Sequence, residues 1–220
     1  MQEMFSTIVR KVKNKILRAL IGFSYGYRSV DQIDLFLKDY ICNSRNNKKS
    51  CDLGCGKNIR NPFLASHLKG IDLDNSLGEK VFKSNLILEP IPLDSNSMDF
   101  ITAYDFIEHV PRILWIDGCL KNPFIDIMDE IYRVLVPGGY FFHSTPTYPS
   151  PVAFQDPTHV NIITEDTMPL YFCGNNYKEW MGSKKPIASI YGFKGNFEFI
   201  DQAYWCNNIC ILTLMRKPLN

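Results

Sequence analysis

No uninterrupted apolar stretch in this sequence approaches the roughly 20 residues that a bilayer-spanning helix needs, so a helical membrane span is not expected. Charge of one sign is not in excess either: 24 Lys and Arg stand against 23 Asp and Glu, a formal net charge of +1. With no global field to gather nucleic acid or anionic lipid, any basic surface must be local. The first residues lack the charged, apolar and small-residue order of a secretory signal, and a cytoplasmic chain is expected. Internal repeats and low-complexity tracts are missing as well. Seven cysteines are present, an odd count. Cys51 and Cys55 sit inside a glycine turn and Cys206 and Cys210 flank a hairpin signal, so neither pair reads as a disulfide framework or a zinc site, and free thiols are expected.

What is present is enough for one domain. With 220 residues, 45% of them hydrophobic, the chain buries an ordinary core and leaves at most a small appendage. Phe5, Val9, Val12, Ile16 and Leu20 recur at helical spacing among Arg10, Lys11, Lys13, Lys15 and Arg18, the pattern of an amphipathic helix with a basic face. Such a helix packs over the domain, or it makes a peripheral contact with a membrane or an anionic substrate; both readings stay open. A second helical segment, Val30 to Tyr40, leads into the polar run Asn43 to Lys49. That run divides a helical N-terminal extension or cap, 1–48, from the main domain, 49–220.

From Ser50 strands and helices alternate. Strands are expected at Ser50 to Leu53, Gly70 to Leu73, weakly at Val81 to Asn85, and strongly at Asp99 to Tyr104. Phe124, Ile127, Met128, Ile131 and Leu135 share one face of a helix from Phe124 to Leu135, with Pro137, Gly138 and Gly139 as its stop. A strand Tyr140 to Ser144, a proline-rich loop and a short helix capped by Thr164 follow. Phe197 to Trp205 and Ile209 to Arg216 read as a hairpin turned at Cys206, Asn207 and Asn208, where asparagine tolerates the left-handed conformation. The fold class is therefore α/β, a mostly parallel sheet with an antiparallel C-terminal hairpin strand.

The stretch KSCDLGCGKN, Lys49 to Asn58, ends the first of these strands. In an open parallel sheet, ligands bind beyond the carboxyl ends of the strands where strand order reverses. Gly54 and Gly56 let the backbone pass close to a ligand, and Asp52 is placed to hold a cationic or hydrogen-bonding group. Gly70-Ile71-Asp72 ends the second strand with an acid suited to a pair of ribose hydroxyls. The third glycine of the dinucleotide fingerprint is absent, Asn58 and Ile59 standing there, and Asp72 arrives too early. A dinucleotide is thereby disfavoured and a smaller nucleoside cofactor remains.

DLGCG, GIDLD, SNLILEPIPLDSNSMDFITAYDFIEHV and IMDEIYRVLVPGGYFFHSTP follow one another in that order. The succession resembles the motifs of class I S-adenosylmethionine-dependent methyltransferases, in particular the small-molecule, type 11/23-like group with Glu-His-Val after the fourth strand. It covers about Ser50 to Pro146, with a fainter echo in DPTHVNIITEDT. The resemblance implies a Rossmann-like sheet and S-adenosylmethionine as cofactor. It implies Asp52, Gly54 and Gly56 along the methionine part, Asp72 on the ribose, Asn85 and Leu86 at the adenine, and Tyr104 beside the sulfonium. An aromatic face or a carbonyl there favours a cationic cofactor over its neutral product; for Leu86 and Tyr104, core packing is the alternative.

Two departures from that pattern matter. Only 15 residues separate Gly56 from Asp72 and 12 separate Asp72 from Asn85, against at least about 10 to 12 for a whole crossover, so the first two crossover helices are expected to be shortened. Arg60-Asn61-Pro62-Phe63 stands where the first helix would begin, and Arg60 or loop amides are expected to meet the methionine carboxylate in its place.

Methyl transfer from a sulfonium is an in-line displacement in which the protein chiefly orients the reactants, but a hydroxyl acceptor must also lose a proton. His109, after Glu108, and His159, in the proline-rich loop, are the candidate general bases; capping or packing is the alternative for His109. His67 and His143 offer less, lying in a trimmed crossover and within a strand. No Asp/Asn-Pro-Pro-aromatic run follows the fourth strand and no cysteine stands there to attack a pyrimidine, so DNA is not an expected substrate. No carboxylate cluster suggests a catalytic magnesium, and no metal is expected. The acceptor should meet the N-terminal helices, Arg112 to Asn122, and Thr145 to Phe193. The aromatics there, Trp115, Tyr148, Phe154, Tyr171, Phe172, Tyr177, Trp180 and Tyr191, either stack on a sugar face or form the core of a cap. The expected function is methyl transfer to a small-molecule or glycan acceptor at oxygen. An RNA methyltransferase using the basic N-terminal helix and a non-catalytic S-adenosylmethionine-binding partner protein are the alternatives.

Overall fold

The computed structural model describes residues 29–41, 47–74, 79–174, 185–207 and 209–219; the expected helix from Met4 to Ile21, and Tyr177, Trp180 and Asn208, lie outside them. The elements run β1 (Ser29–Val30), α1 (Ile33–Leu37), β2 (Lys49–Leu53), β3 (His67–Asp72), β4 (Val81–Lys83) and β5 (Met98–Tyr104). A small hairpin follows, β6 (Leu114–Ile116) and β7 (Cys119–Lys121), then α2 (Pro123–Val134), β8 (Leu135–Pro146), α3 (Val152–Gln155), α4 (Thr167–Phe172), β9 (Glu198–Trp205) and β10 (Cys210–Arg216).

Eight strands form one sheet in the order β1-β9-β10-β8-β5-β2-β3-β4. β2 lies parallel to both β3 and β5, and β5 parallel to β8. β10 is antiparallel to both of its neighbours. This is the expected mostly parallel sheet with an antiparallel C-terminal hairpin strand. The chain steps outward from β2 to β4 and then returns to β5 on the other side of β2, so strand order reverses between the carboxyl ends of β2 and β5, the place where such sheets hold ligands.

Alternation along β5 feeds two core layers. Ile101 and Ala103 join Ile127, Met128 and Ile131 of α2 on one face, while Phe100 and Tyr104 join Phe36, Phe63, Phe142 and Leu212 on the other. Among the described residues no helix occupies either crossover between β2 and β4, in keeping with the expected shortening. Phe63, from a turn, covers part of the sheet in their place: its ring stacks on Phe100 at 4.3 Å between centroids and 5° between planes.

Local expectations are corrected at four points. Val30 belongs to an edge strand paired in parallel with β9, and helix begins only at Ile33; pairing with a strand distant in the sequence overrides the local periodicity there. The helix α2 ends at Val134, before Pro137, because Leu135 already turns extended (φ −65, ψ 137) to pair with Met98. Pro137, Gly138 and Gly139 lie inside β8, with Gly138 at φ +79. Thr164 does not cap a helix; its N–H donates to Thr167 Oγ1 at 3.0 Å, and α4 starts at Thr167. The C-terminal hairpin turns as expected, with Cys206 and Asn207 both left-handed (φ +53 and +57). A second hairpin, β6–β7, turns on Asp117-Gly118 (φ +50 and +75), an Asp-Gly signal that the sequence reading passed over. Among the described residues no helix is long and apolar enough to cross a membrane.

Candidate functional site

The glycine turn and the end of β3 are one unit. The Gly54 N–H donates to the Ile71 carbonyl at 2.9 Å and the Gly56 N–H donates to Asp72 Oδ2 at 2.8 Å. Asp72 Oδ1 accepts a longer bond, 3.3 Å, from the Asp74 N–H. Both glycines are left-handed, at φ +63 and +55. Their surroundings differ: a Cβ on Gly54 would stand 2.6 Å from Phe106 Cδ2, whereas one on Gly56 would meet nothing within 4 Å. One glycine is needed for packing against protein, and the other borders open space beside an acid.

Asp52 is fully buried because β2 is central. It is in register with Thr102 on β5, which puts their side chains on one face, and Thr102 Oγ1 donates to Asp52 Oδ1 at 2.7 Å. The Arg60 N–H donates to Asp52 Oδ2 at 2.8 Å. Asp52 thus ties the loop after the glycine turn to the sheet. Burial raises its pKa from 3.8 to about 6, against the lowering effect of those two bonds. The Arg60 guanidinium lies over the Tyr104 ring, 4.5 Å from its centroid, a cation–π contact. Tyr104 packs edge-on against Phe142, and burial pushes its phenol above the ordinary range.

Asn85 closes its own turn, accepting from the Ile87 N–H at 3.2 Å, while its N–H and the Ser84 hydroxyl both donate to Glu89 Oε2 at 3.0 Å. Leu86 is buried in the α2-side core.

His109 and His159, 50 positions apart in the chain, meet face to edge with ring centroids 4.9 Å apart and planes at 72°. The loop after β8 is pinned to the 3-10 turn Ile107–His109 to achieve this. The Asn161 N–H donates to the Glu108 carbonyl at 2.9 Å, and Asn161 Nδ2 donates to the Ile107 carbonyl at 3.3 Å. Arg112 Nε donates to Asn161 Oδ1 at 2.6 Å. His109 Nδ1 lies 3.2 Å from the Thr158 carbonyl and 3.0 Å from its hydroxyl; His159 Nδ1 lies 3.4 Å from the Ala153 carbonyl. Glu108, 1% exposed, accepts from Thr145 Oγ1 through Oε2 at 2.6 Å. Its Oε1 is buried with no hydrogen-bond partner among the described residues, and burial raises its pKa. Burial raises the pKa of Asp105, at φ +48 directly after β5, against the lowering effect of Arg60, His109 and His159. Asp105, Glu108 and Asn161 went unnoticed as site residues in sequence; an acid directly after the strongest strand was the available signal.

His143 is buried inside β8 with neither ring nitrogen partnered among the described residues, and burial holds its pKa down at about 3. His67 is exposed at the start of β3, away from the strand ends that carry the other residues. The aromatics between Arg112 and Phe193 divide: Phe172 is core, while Trp115, Tyr148, Phe154, Tyr171 and Tyr191 are exposed. A cavity of about 420 Å³ opens among Arg112, Phe124, Thr164, Thr167, Tyr171 and Tyr191.

Residues 51–143 match the methyltransferase domain family Methyltransf_11. No curated protein matches the sequence. In structure the chain is similar to a SAM-dependent methyltransferase from Archaeoglobus fulgidus, at 17% identity and TM-score 0.51 over 84% of this chain and 93% of that one. It is also similar to a chain of the complex between the Haloferax volcanii Trm112 methyltransferase activator and a methyltransferase, at 11% and 0.52 over 84% and 93%. To the [4+2]-cyclase SpnF the values are 13% and 0.54 over 96% of each chain. At these identities the structural likeness is one of fold.

Proposed function

We propose that the chain, whose residues 51–143 match the methyltransferase domain family, is an S-adenosylmethionine-dependent methyltransferase that methylates an oxygen of a small-molecule or glycan acceptor, the acceptor proton being handled at the His109–His159 pair. The residues present fit the cofactor. Gly56 borders open space where any side chain would intrude, and Asp72, fixed by the Gly56 N–H, keeps lone pairs for a ribose diol. Tyr104 and the Arg60 guanidinium above it close the end of β5, with Arg60 the cation available to a carboxylate. S-adenosylmethionine supplies a methyl carbon on a sulfonium, which makes transfer an in-line displacement.

The observation that carries the oxygen reading is the meeting of His109 and His159 just beyond β5. With each Nδ1 beside a backbone carbonyl, each Nε2 is the nitrogen left to take a proton from a hydroxyl, that of His159 standing 3.9 Å from Asp156 Oδ2. The cavity beside Arg112 has the volume of a small-molecule site, and Tyr171 and Tyr191 offer it flat faces of the kind that stack on sugars.

The test is calorimetric titration with S-adenosylmethionine and its demethylated product, followed by an acceptor screen beginning with sugars and lipid-linked glycans. Asp72→Ala should lose cofactor affinity. His109→Ala and His159→Ala should keep it and lose turnover. Full turnover in both histidine variants would refute the assignment.

A further inference from the structure

We infer that Glu108, His109 and His159 bind one divalent transition-metal ion, through which the histidine pair acts. The inference rests on the functional reading above for the role of the site, not for the binding itself; with the ion bound, the imidazole nitrogens ligate it and the acceptor proton passes to solvent instead of to them.

One ligand atom from each of these three side chains lies within 4.8 Å of the other two. Ligands at about 2.1 Å around a tetrahedral ion stand about 3.4 Å apart, so side-chain adjustments of about 1 Å complete the shell. Glu108 supplies an independent sign. Its Oε2 is occupied by Thr145, whereas its Oε1 is buried with no donor, an unfavourable state for a carboxylate oxygen that a cation relieves. The imidazoles are held as metal ligands are held: each Nδ1 faces a backbone carbonyl, of Thr158 and of Ala153. That second contact favours the tautomer whose Nε2 ligates; the His159 Nε2 also stands 3.9 Å from Asp156 Oδ2, beyond hydrogen-bond distance.

Two imidazole nitrogens and one carboxylate suit zinc, iron, cobalt or nickel; magnesium prefers oxygen ligands and retained water. Three protein ligands leave a position open. An acceptor hydroxyl reaching a cation there loses its proton to solvent more readily. Its oxygen lone pair then forms the C–O bond as the C–S bond breaks, with that electron pair passing to sulfur. The sequence shows no carboxylate cluster and no metal is expected from it; these donors are mostly imidazole and come from two segments 50 positions apart.

The test uses the full chain, stripped with a chelator, dialysed and titrated with Co²⁺, reading the visible absorption of the bound ion. One equivalent should bind, and excess Mg²⁺ should not displace it. His109→Ala, His159→Ala and Glu108→Gln should each weaken binding at least about tenfold, the order expected when a metal site loses a ligand or its support. His67→Ala, at the other end of the sheet, should bind as wild type, and cofactor calorimetry on every variant checks that it is folded. Absence of saturable Co²⁺ binding, or equal binding in both histidine variants, overturns the inference. If cobalt does not bind yet the histidine variants lose turnover, the metal falls and the functional reading stands. If cobalt binds through the histidines and turnover survives their loss, the site stands and the functional reading falls.

Discussion

Replacing Gly54 and Gly56 by alanine, one at a time, separates packing from ligand approach within a single turn. Both residues are left-handed, so each substitution costs about 1 to 2 kcal/mol of backbone strain. At Gly56 nothing more is added, since its Cβ would meet no atom within 4 Å. At Gly54 the new carbon would overlap Phe106 at 2.6 Å, and Phe106 is packed against the α2-side core. Overpacking of that kind costs a further 1 to 3 kcal/mol or so. In a domain of this size about 1 kcal/mol moves the melting temperature by roughly 2 to 4 °C. Gly56→Ala should therefore melt a few degrees below wild type and Gly54→Ala clearly lower. Cofactor affinity should run the other way, with Gly56→Ala weakening it at least about tenfold, or about 1.4 kcal/mol. Thermal unfolding and calorimetric titration of both variants decide it. Equal melting temperatures would refute the steric argument, and wild-type affinity in Gly56→Ala would remove the turn from the cofactor site.

Two buried groups give stability terms of opposite pH dependence. The pKa of His143 is about 3 in the fold against an ordinary 6.5, so its contribution is complete above 6.5 and is lost as pH falls toward 3, by up to about 5 kcal/mol. His143→Leu should flatten the acid limb of urea-midpoint against pH, and an unchanged limb would contradict this. The Asp52 carboxyl is raised to about 6, so its contribution is present below about 4 and is lost as pH rises through 6, amounting to about 3 kcal/mol. Asp52→Asn should remove that slope between pH 4 and 7, measured the same way; persistence of the slope would assign it to another group. Phe63→Ala should cost about 3 to 5 kcal/mol in urea unfolding, since the ring is 2% exposed and stacked on Phe100. A loss below 1 kcal/mol or so would mean the sheet face closes without it.

The sequence alone determined the alternating strands, the parallel sheet, the glycine turn and the acid of Asp72. These are legible because strand periodicity, left-handed glycine and an acid at a strand end are properties of residues close together in the chain. Asp52, Gly54 and Gly56 were picked out by type and position. That Asp52 is bonded to Thr102 and Arg60 depends on which strand lies beside β2, which no local pattern states. Val30 in an edge strand and the early end of α2 were likewise set by partners more than 30 positions away. The histidines make the same point most strongly. Each was visible as a candidate, but their contact with each other and with the unpartnered Oε1 of Glu108 exists only because Asn161 and Arg112 fasten a distant loop to the end of β5. Short-range residue preferences select the elements; burial and hydrogen bonding across the closed sheet decide which of their side chains share a site.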